Sequence, residues 1–448
     1  MSKLDKLRGM LVGLAVGDAL GAPVEFMKRG TFKPIDGYRD GGPFSLKAGY
    51  WTDDTSMALC TGLSLVNKNE MDGDDQFSGY LKWYRDGYMS STGVCFDIGN
   101  QTKKALELYE QGHSLYSLRN ILKDERRGAG NGALMRLAPV VIKFHEDVST
   151  AISSASLNAQ LTHPDTRCLQ ANKVFTYLMI RSLRVSDKKE LLDPEMIHAQ
   201  IPSLDPEIAE VIDGSYTLLG AEDINPSGYV VRSMEAALWA FWNASSFEEG
   251  VKLAVNLGGD SDTIGAIYGQ LAGAFWGYKG IPHDLVKGLY GYKRIVVLAE
   301  LLAEGLTGSK LEQLASSSDI TLPSKLPTFA ETMQRRSYET GIKNKYSWDN
   351  LKDFPANYEK VDFRMEISGQ DFDLIKRGCS SKMNMYFDND KLYIHYIGNG
   401  ECLFVVNFEN GVSQSLLINT QACEELLNVE DFFESVRGWI RLLISVNS

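Results

Sequence analysis

The sequence predicts an all-α domain of about three hundred residues followed by a small α+β domain carrying an antiparallel β-meander. Three observations predict it. Apolar residues recur at three- and four-residue spacing in segment after segment up to about Leu302, which is helical periodicity. Strand-like alternation is absent before about Asn350. Beyond that point, short alternating segments are divided by Asn-Gly pairs, which tolerate the positive φ angles of tight hairpin turns.

Taken in order, Leu4, Leu7, Leu11 and Leu14 predict an amphipathic helix at the start of the chain. Gly13, Gly17 and Gly21 share a neighbouring face, and Gly265, Gly269 and Gly273 repeat that spacing in a buried helix predicted over Ile264–Trp276. Glycine is a poor helix former, so two such rows imply backbones that approach closely. Further helices are predicted over Ser56–Leu65, Thr102–Tyr109, Ala171–Leu183 and Ser233–Trp242. These define a helical domain over 1–305. A polar stretch rich in serine, proline and lysine makes 306–350 a connector. In 351–448, Met383–Phe387 and Leu392–Tyr396 alternate around Asp388-Asn389-Asp390, and Asn399-Gly400 and Asn410-Gly411 mark two more turns. Phe433, Val436, Ile440 and Leu443 then predict a closing helix able to cover the sheet.

Composition sets limits on function. With 44% apolar and 23% charged residues in 448, the chain is an ordinary folded protein with a large core. A net charge of −12 argues against nucleic-acid binding, whose affinity comes from lysine and arginine neutralising phosphates. Cys60, Cys95, Cys168, Cys379, Cys402 and Cys423 are scattered without CxxC or zinc spacing, so reduced thiols and a cytoplasmic setting are expected. The apolar stretch Met10–Ala22 is interrupted by Asp18, which argues against a signal peptide. No other apolar run is long enough to predict a membrane span.

The chemistry concentrates in two polar clusters. Trp51-Thr52-Asp53-Asp54-Thr55 and Gly258-Gly259-Asp260-Ser261-Asp262-Thr263 each place two carboxylates just before a predicted apolar helix. Helix capping explains one such residue per helix. Two carboxylates per cluster repel one another without a cation, and oxygen-only ligands favour a hard cation such as Mg²⁺ or Mn²⁺. Composition alone leaves capping and metal binding evenly balanced.

Residues Leu4 to Leu302 resemble the ADP-ribosylglycohydrolase family. The resemblance rests on ordered segments: Gly13 to Glu25, Trp51 to Thr55, Cys95-Phe-Asp-Ile-Gly99, Gly130-Asn-Gly132, Gly228-Tyr-Val230 and Gly258 to Gly265. It implies a compact helical fold with two divalent cations, Mg²⁺ or Mn²⁺, held by Thr52, Asp53, Asp54, Asp260, Asp262 and Thr263. It also implies hydrolysis of ADP-ribose from a protein side chain. Asp97 is the expected acid/base, because a carboxylate matches a guanidinium leaving group. Its bland alternative is a cap for the helix near Thr102. The family also places an acidic residue near the metals at Glu25.

The stretch Gly128-Ala-Gly130-Asn-Gly132-Ala133 fits a dinucleotide fingerprint, but the charged run Lys123 to Arg127 precedes it where a Rossmann site needs a buried strand. A glycine-rich loop is expected instead, its amides facing a pyrophosphate and aided by a helix starting at Ala133. By resemblance, Asn100, Gln101 and Thr102 contact the distal ribose or phosphate, while His163 and Tyr229 line the nucleotide pocket. Without the resemblance, His163 reads as an exposed loop residue and Tyr229 as packing. The expected substrate is an ADP-ribosylated protein, ADP-ribosylarginine foremost. ADP-ribosylserine, poly(ADP-ribose), O-acyl-ADP-ribose and a non-catalytic shielding protein stay open as alternatives. The fused C-terminal domain suits recruitment or regulation, with a cognate ADP-ribosylating toxin as a further expected partner.

Overall fold

The computed structural model describes residues 2–123 and 129–304, together with five strand segments of the C-terminal region. The chain divides into two units, residues 1–324 and 325–448. In the first unit, the described residues form helices α1 (Lys3–Gly21), α2 (Asp53–Lys68), α3 (Gly73–Asp86), α4 (Asn100–Glu110), α5 (Leu115–Lys123) and α6 (Ala138–Phe144). They continue through α7 (Val148–Thr162), α8 (Thr166–Ser182), α9 (Lys188–Leu191), α10 (Pro194–Gln200) and α11 (Pro206–Ile212). The set closes with α12 (Val230–Asn243), α13 (Phe247–Val255), α14 (Ser261–Trp276), α15 (His283–Gly288) and α16 (Tyr292–Glu304). No strand occurs among its described residues, so this unit is all-α.

The pair α1 and α14 forms the axis of the core. A Cβ placed on Gly17 would sit 1.9 Å from the Gly265 carbonyl oxygen, and one on Gly265 would sit 2.4 Å from that of Gly17. Gly13 meets Gly269 and Gly9 meets Gly273 in the same way, so the helices run antiparallel with backbones in direct contact. Gly21 ends the row against the Ser261 carbonyl oxygen, 2.3 Å from its virtual Cβ. The two glycine rows of the sequence therefore pack on each other, with Gly9 as a fourth member the spacing had not included. This seam decides where the chemistry goes, because it sets the C-terminal turns of α1 beside the first turn of α14.

One expectation needs correction here. The first helix is not amphipathic: from Asp5 to Gly21 every residue except Arg8 is buried. Helices pack on it from several sides, so its leucine stripe faces no solvent boundary and its other faces are apolar as well. It is also long and apolar enough to cross a membrane, yet its apolar window lies buried inside this unit. Helix starts differ by a few residues from the periodicity, since α2 begins at Asp53 and α4 at Asn100. No helix starts at Ala133. Residues 132–136 form a turn, and α6 begins at Ala138 with Pro139 in its first turn, where a missing N–H costs nothing.

In the second unit the described strands are β1 (Glu359–Val361), β2 (Met383–Asp388), β3 (Lys391–Tyr396), β4 (Cys402–Glu409) and β5 (Val412–Ile418). All pairings are antiparallel, in the order β1-β5-β4-β3-β2. Met383 pairs with Tyr396 and Asp388 with Lys391, so β2 and β3 pair along their whole length; the turn expected at Asp388-Asn389-Asp390 lies largely outside the described residues. The expected connector and the closing helix lie outside the described residues.

Candidate active site

Asp18, near the end of α1, organises the start of α2. Its Oδ1 accepts from the Thr52 amide at 2.9 Å and the Thr52 hydroxyl at 3.0 Å. Its Oδ2 accepts from the Thr55 amide at 3.0 Å and the Thr55 hydroxyl at 2.6 Å. Those amides belong to a helix N-terminus that lacks intrahelical partners. The cap of α2 therefore comes from another helix, and the N-cap residue Thr52 makes no capping bond of its own. Nor does Asp260, the N-cap residue of α14. The capping alternative fails for both clusters, which leaves Asp53, Asp54, Asp260 and Asp262 free for another ligand.

The clusters meet across the glycine seam. Thr52 Oγ1 lies 3.0 Å from Asp18 Oδ1, 3.1 Å from Asp54 Oδ2 and 3.2 Å from Asp262 Oδ2. A hydroxyl carries one proton and donates one hydrogen bond. The remaining close oxygen pairs are repulsive unless positive charge stands among them. Thr263 Oγ1 adds a contact to Asp54 Oδ2 at 3.3 Å. Asp54 Oδ1, Asp262 Oδ1 and Glu25 Oε2 are buried without any hydrogen-bond partner. Carboxylate oxygens of Asp18, Asp54 and Asp262 lie within 4.8 Å of one another, as do those of Glu25, Asp97 and Asp262.

Electrostatics express the same crowding. Burial, aided by neighbouring carboxylates, raises Glu25 to about 10 and Asp97 to about 7. Burial lifts Asp18 to about 6 against the pull of its four hydrogen bonds. Asp53, Asp54 and Asp262 are pushed well above the carboxylate range by burial first and like charge second, and Asp260 is raised by burial. Among the described residues, no lysine, arginine or histidine forms an ion pair with any of these seven. An all-oxygen donor set with orphaned buried acceptors and no protein counter-charge fits hard divalent cations.

Two loops hold the other acids in place. The Phe26 amide donates to the Gly259 carbonyl at 2.6 Å and the Gly259 amide returns to Met27 at 2.8 Å, fastening Glu25 to the second cluster. Asp97 has φ of 59°, a left-handed backbone that is rare and costly for a residue other than glycine. It caps nothing, because α4 starts with Gly99 as its N-cap. The capping alternative therefore falls away, and a carboxylate oxygen of Asp97 lies within 4.8 Å of those of Glu25 and Asp262.

The glycine-rich loop lies on the Asp260 side. Asn131 donates through Nδ2 to Asp260 Oδ2 at 2.6 Å and to Ser233 Oγ at 2.9 Å, while its amide bonds Gly228 at 3.1 Å. Gly130 pairs with Tyr229 in an isolated antiparallel bridge. His163 sits directly beneath: a Cβ on Gly132 would lie 2.8 Å from His163 Cε1 and 3.4 Å from Thr102 Oγ1. So glycine is required here for close approach, and His163 and Thr102 form the floor. His163 is buried, not the exposed loop residue its own sequence neighbourhood suggests. Tyr229 is half-buried, hydrogen-bonded to Glu207 and Arg167 at 2.9 Å each, so it is more than packing. Asn100 is exposed and Gln101 half-buried at the first turn of α4, with Gln101 Nε2 shielded and unpartnered.

Sequence reasoning missed two residues. Asp18 was read only as a break in an apolar stretch; a lone acid in the middle of a buried helix was the available signal. Arg136 is fully buried and donates to the Gly132 carbonyl at 2.6 Å and to Thr162 Oγ1 at 2.8 Å. Thr162 in turn contacts His163 Nδ1 at 2.8 Å. Burial and this guanidinium hold His163 down at about 3, so the folded imidazole is neutral. The unfolded imidazole gains its proton near pH 6.5, hence His163 withdraws stability as pH falls from about 6.5 toward 3. Urea melts at pH 7.5 and pH 5 with Mg²⁺ present, which suppresses the opposing carboxylate slope, are expected to show a smaller acid-induced loss for His163→Gln than for the parent protein.

The helices thus converge on a crowded carboxylate centre beside a glycine-rich loop. The family model for ADP-ribosylglycohydrolase matches residues 1–312, and the chain belongs to that family. It is 36% identical to the ADP-ribosylarginine hydrolase Tri1 of Serratia proteamaculans over 300 residues, 67% of this chain and 79% of that protein. It is 29% identical to the ADP-ribosyl-[dinitrogen reductase] glycohydrolase of Rhodospirillum rubrum, over 62% of this chain and 88% of that one. A solved structure described as an ADP-ribosylglycohydrolase-related protein complex shares 39% identity at a TM-score of 0.59, covering 68% of this chain and 99% of its own. The protein is thus an ADP-ribosylarginine hydrolase-like glycohydrolase.

Proposed function

We propose that the protein hydrolyses the N-glycosidic bond of ADP-ribosylarginine in a modified protein, releasing ADP-ribose and the intact arginine. The reaction depends on two divalent cations, Mg²⁺ or Mn²⁺. One observation carries the metal dependence: seven buried or half-buried carboxylates crowd one centre, and among the described residues none pairs with a protein cation. Thr52, Asp53, Asp54, Asp260, Asp262 and Thr263 are the residues that would hold the ions. When bound, the ions supply charge neutralisation and Lewis-acid polarisation of oxygen ligands such as ribose hydroxyls and water.

The chain's own groups do the rest. The amides of Gly130 and Gly132, which flank the already bonded Asn131 amide, cradle the pyrophosphate, with Thr102 and His163 forming its floor, Asn100 and Gln101 near the distal ribose, and Tyr229 at the edge of the nucleotide pocket. Asn131, tied to Asp260, fixes the loop relative to the carboxylate centre. The bond from the anomeric carbon to the guanidine nitrogen breaks, and a bond from that carbon to a water oxygen forms. Glu25 accepts the water proton at Oε2, as an ionised carboxylate once the cluster is neutralised. Asp97, as the neutral acid hydrogen-bonded to the guanidine, donates its proton to the departing nitrogen, and the proton that Glu25 takes from water replaces it after release.

The sequence relatives named for ADP-ribosylarginine support this linkage, as does Asp97. The C-terminal α+β region, 351–448 with its antiparallel meander, acts in recruitment, and an ADP-ribosylating toxin is a fitting cognate partner. Incubation with ADP-ribosylarginine and ADP-ribosylserine proteins, with Mg²⁺ and with chelator, tests the proposal. Release from arginine that stops with chelator is expected. Release that is metal-independent, or none from arginine, refutes it. Asp97→Asn is expected to lower kcat at least 100-fold while leaving Mg²⁺-induced stabilisation in place.

A further inference from the structure

A cavity of about 660 Å³ is lined by residues adjacent in the chain to the carboxylate centre, though by none of its acids. Residues 44–47 and Tyr50 form one wall, residues 87–93 the other, with Tyr290 and Arg294 at the base. Both walls run straight into the active site, the first reaching Thr52 two residues later and the second reaching Asp97 after four. The Phe44 and Phe96 rings pack 5.2 Å apart, next to Asp97. The glycine-rich loop, by contrast, meets the centre at Asp260. The cavity and the loop therefore approach the reacting centre from different residues.

Its construction is rigid. Ser91 Oγ donates to the Trp51 carbonyl at 2.6 Å, and the Tyr290 amide to the Gly49 carbonyl at 2.9 Å. Ser45 and Met89, one in each wall, hold left-handed backbones at φ of 53° and 61°, a strain that collects at ligand clamps. At its base the Arg294 guanidinium lies 5.1 Å from the ring centroids of both Trp51 and Tyr290. Its Nε and Nη2 are shielded from solvent and have no hydrogen-bond partner. Among the described residues neither Arg294 nor Lys47, which lies 6.0 Å from the Tyr50 centroid, forms an ion pair. In a chain with 58 acidic residues against 46 basic ones, two unpaired cations in one cavity are a conspicuous concentration of positive charge. Aromatic faces fix a guanidinium in place without neutralising it, so its charge stays available to a ligand.

We infer that this cavity is a docking subsite for an acidic side chain of the substrate protein, set close to the ADP-ribosylated residue. The carboxylate enters between Arg294 and Lys47, and the rings of Tyr50 and Tyr88 wall it from solvent. This inference rests on the hydrolase reading, since it assumes that a modified protein approaches the centre from the Asp97 side. The subsite selects among modified proteins and takes no part in bond cleavage.

The test uses the full chain with Mg²⁺ and three substrates: free ADP-ribosylarginine, an ADP-ribosylarginine peptide with glutamate beside the modified residue, and the same peptide with glutamine there. The glutamate peptide is expected to show the lowest KM. Arg294→Met and Lys47→Met are each expected to raise that KM about tenfold, to leave kcat unchanged, and to leave free ADP-ribosylarginine untouched. Arg294→Lys should restore part of the preference. Equal KM for the two peptides in the parent protein overturns the inference, as does an equal loss of both variants on free ADP-ribosylarginine. If the parent protein cleaves none of the three, the hydrolase reading fails. Binding of the unmodified glutamate peptide, followed by intrinsic tryptophan fluorescence, then decides the subsite alone: binding lost in Arg294→Met and Lys47→Met supports it, and binding absent or unchanged refutes it.

Discussion

Asp54→Asn is expected to stabilise the metal-free protein and to abolish activity. The opposite signs follow from one geometry. Asp54 Oδ2 stands 3.1 Å from Thr52 Oγ1 and 3.3 Å from Thr263 Oγ1, its Oδ1 has no partner, and Asp18 and Asp262 carboxylates crowd it. Without cations its ionised form is disfavoured, so a neutral amide relieves repulsion and should raise Tm by about 2 °C, on the order of 1 kcal/mol. With cations the same change deletes a ligand. Mg²⁺ at one hundred times its Kd should stabilise the parent protein by about 2.7 kcal/mol, and the variant by far less.

The pH dependence has a matching sign. Groups whose folded pKa is raised contribute stability below their unfolded pKa and lose it as pH climbs through the folded value. Asp18 at about 6 and Asp97 at about 7 place that loss between about pH 4 and 7, with Glu25 extending it toward 10. Chelator-treated protein is therefore expected to become less stable as pH rises from 5 to 8, and Mg²⁺ to remove most of that slope. Thermal melts across this range, with and without chelator, check both statements. A metal-free protein that gains stability toward pH 8 would contradict the electrostatic account.

Much of this site was legible before any coordinates, and the reasons are specific. The acid pairs in Thr52–Thr55 and Asp260–Thr263 are contiguous in sequence, so their unusual density shows in one dimension. The resemblance segments supplied Glu25, Asp97 and the glycine loop. What stayed hidden was every relationship between distant residues. Capping could not be dismissed until Asp18 was seen to satisfy the Thr52 and Thr55 amides from another helix. Arg136 carries no motif of its own, and its bond to Thr162 Oγ1, 26 residues along the chain, exists only once the helices pack. His163 and Thr102 lie far apart in the chain, yet both meet the space above Gly132. Helical periodicity likewise finds a buried helix but cannot tell one buried face from several, which is why α1 reads as amphipathic.

Gly17→Val is expected to prevent folding of the helical unit, a larger effect than any single change in the carboxylate centre. A Cβ there would stand 1.9 Å from the Gly265 carbonyl oxygen and 2.3 Å from its carbon. Backbone cannot rotate away as a side chain can, so the helices must separate by more than an ångström, and the seam from Gly9–Gly273 to Gly21–Ser261 opens with them. The cost exceeds about 4 kcal/mol, comparable with the whole stability of many domains. Gly17→Ala meets the same oxygen and should differ only in degree, while Gly37→Ala, with nothing within 4 Å of its Cβ, should be neutral. Soluble yield and far-ultraviolet circular dichroism distinguish the three. The seam also explains why the loss cannot be confined to packing: Asp18 lies between Gly17 and Gly21, and Asp262 faces Gly21, so the spacing of α1 and α14 is the spacing of the two acid clusters. Gly13→Ala, one turn farther from the acids, also meets backbone, the Gly269 carbonyl oxygen at 2.2 Å, and is therefore expected to lose Mg²⁺-induced stabilisation before it loses helical content. If metal response and helicity instead fell together across the series, the glycines would serve the fold alone.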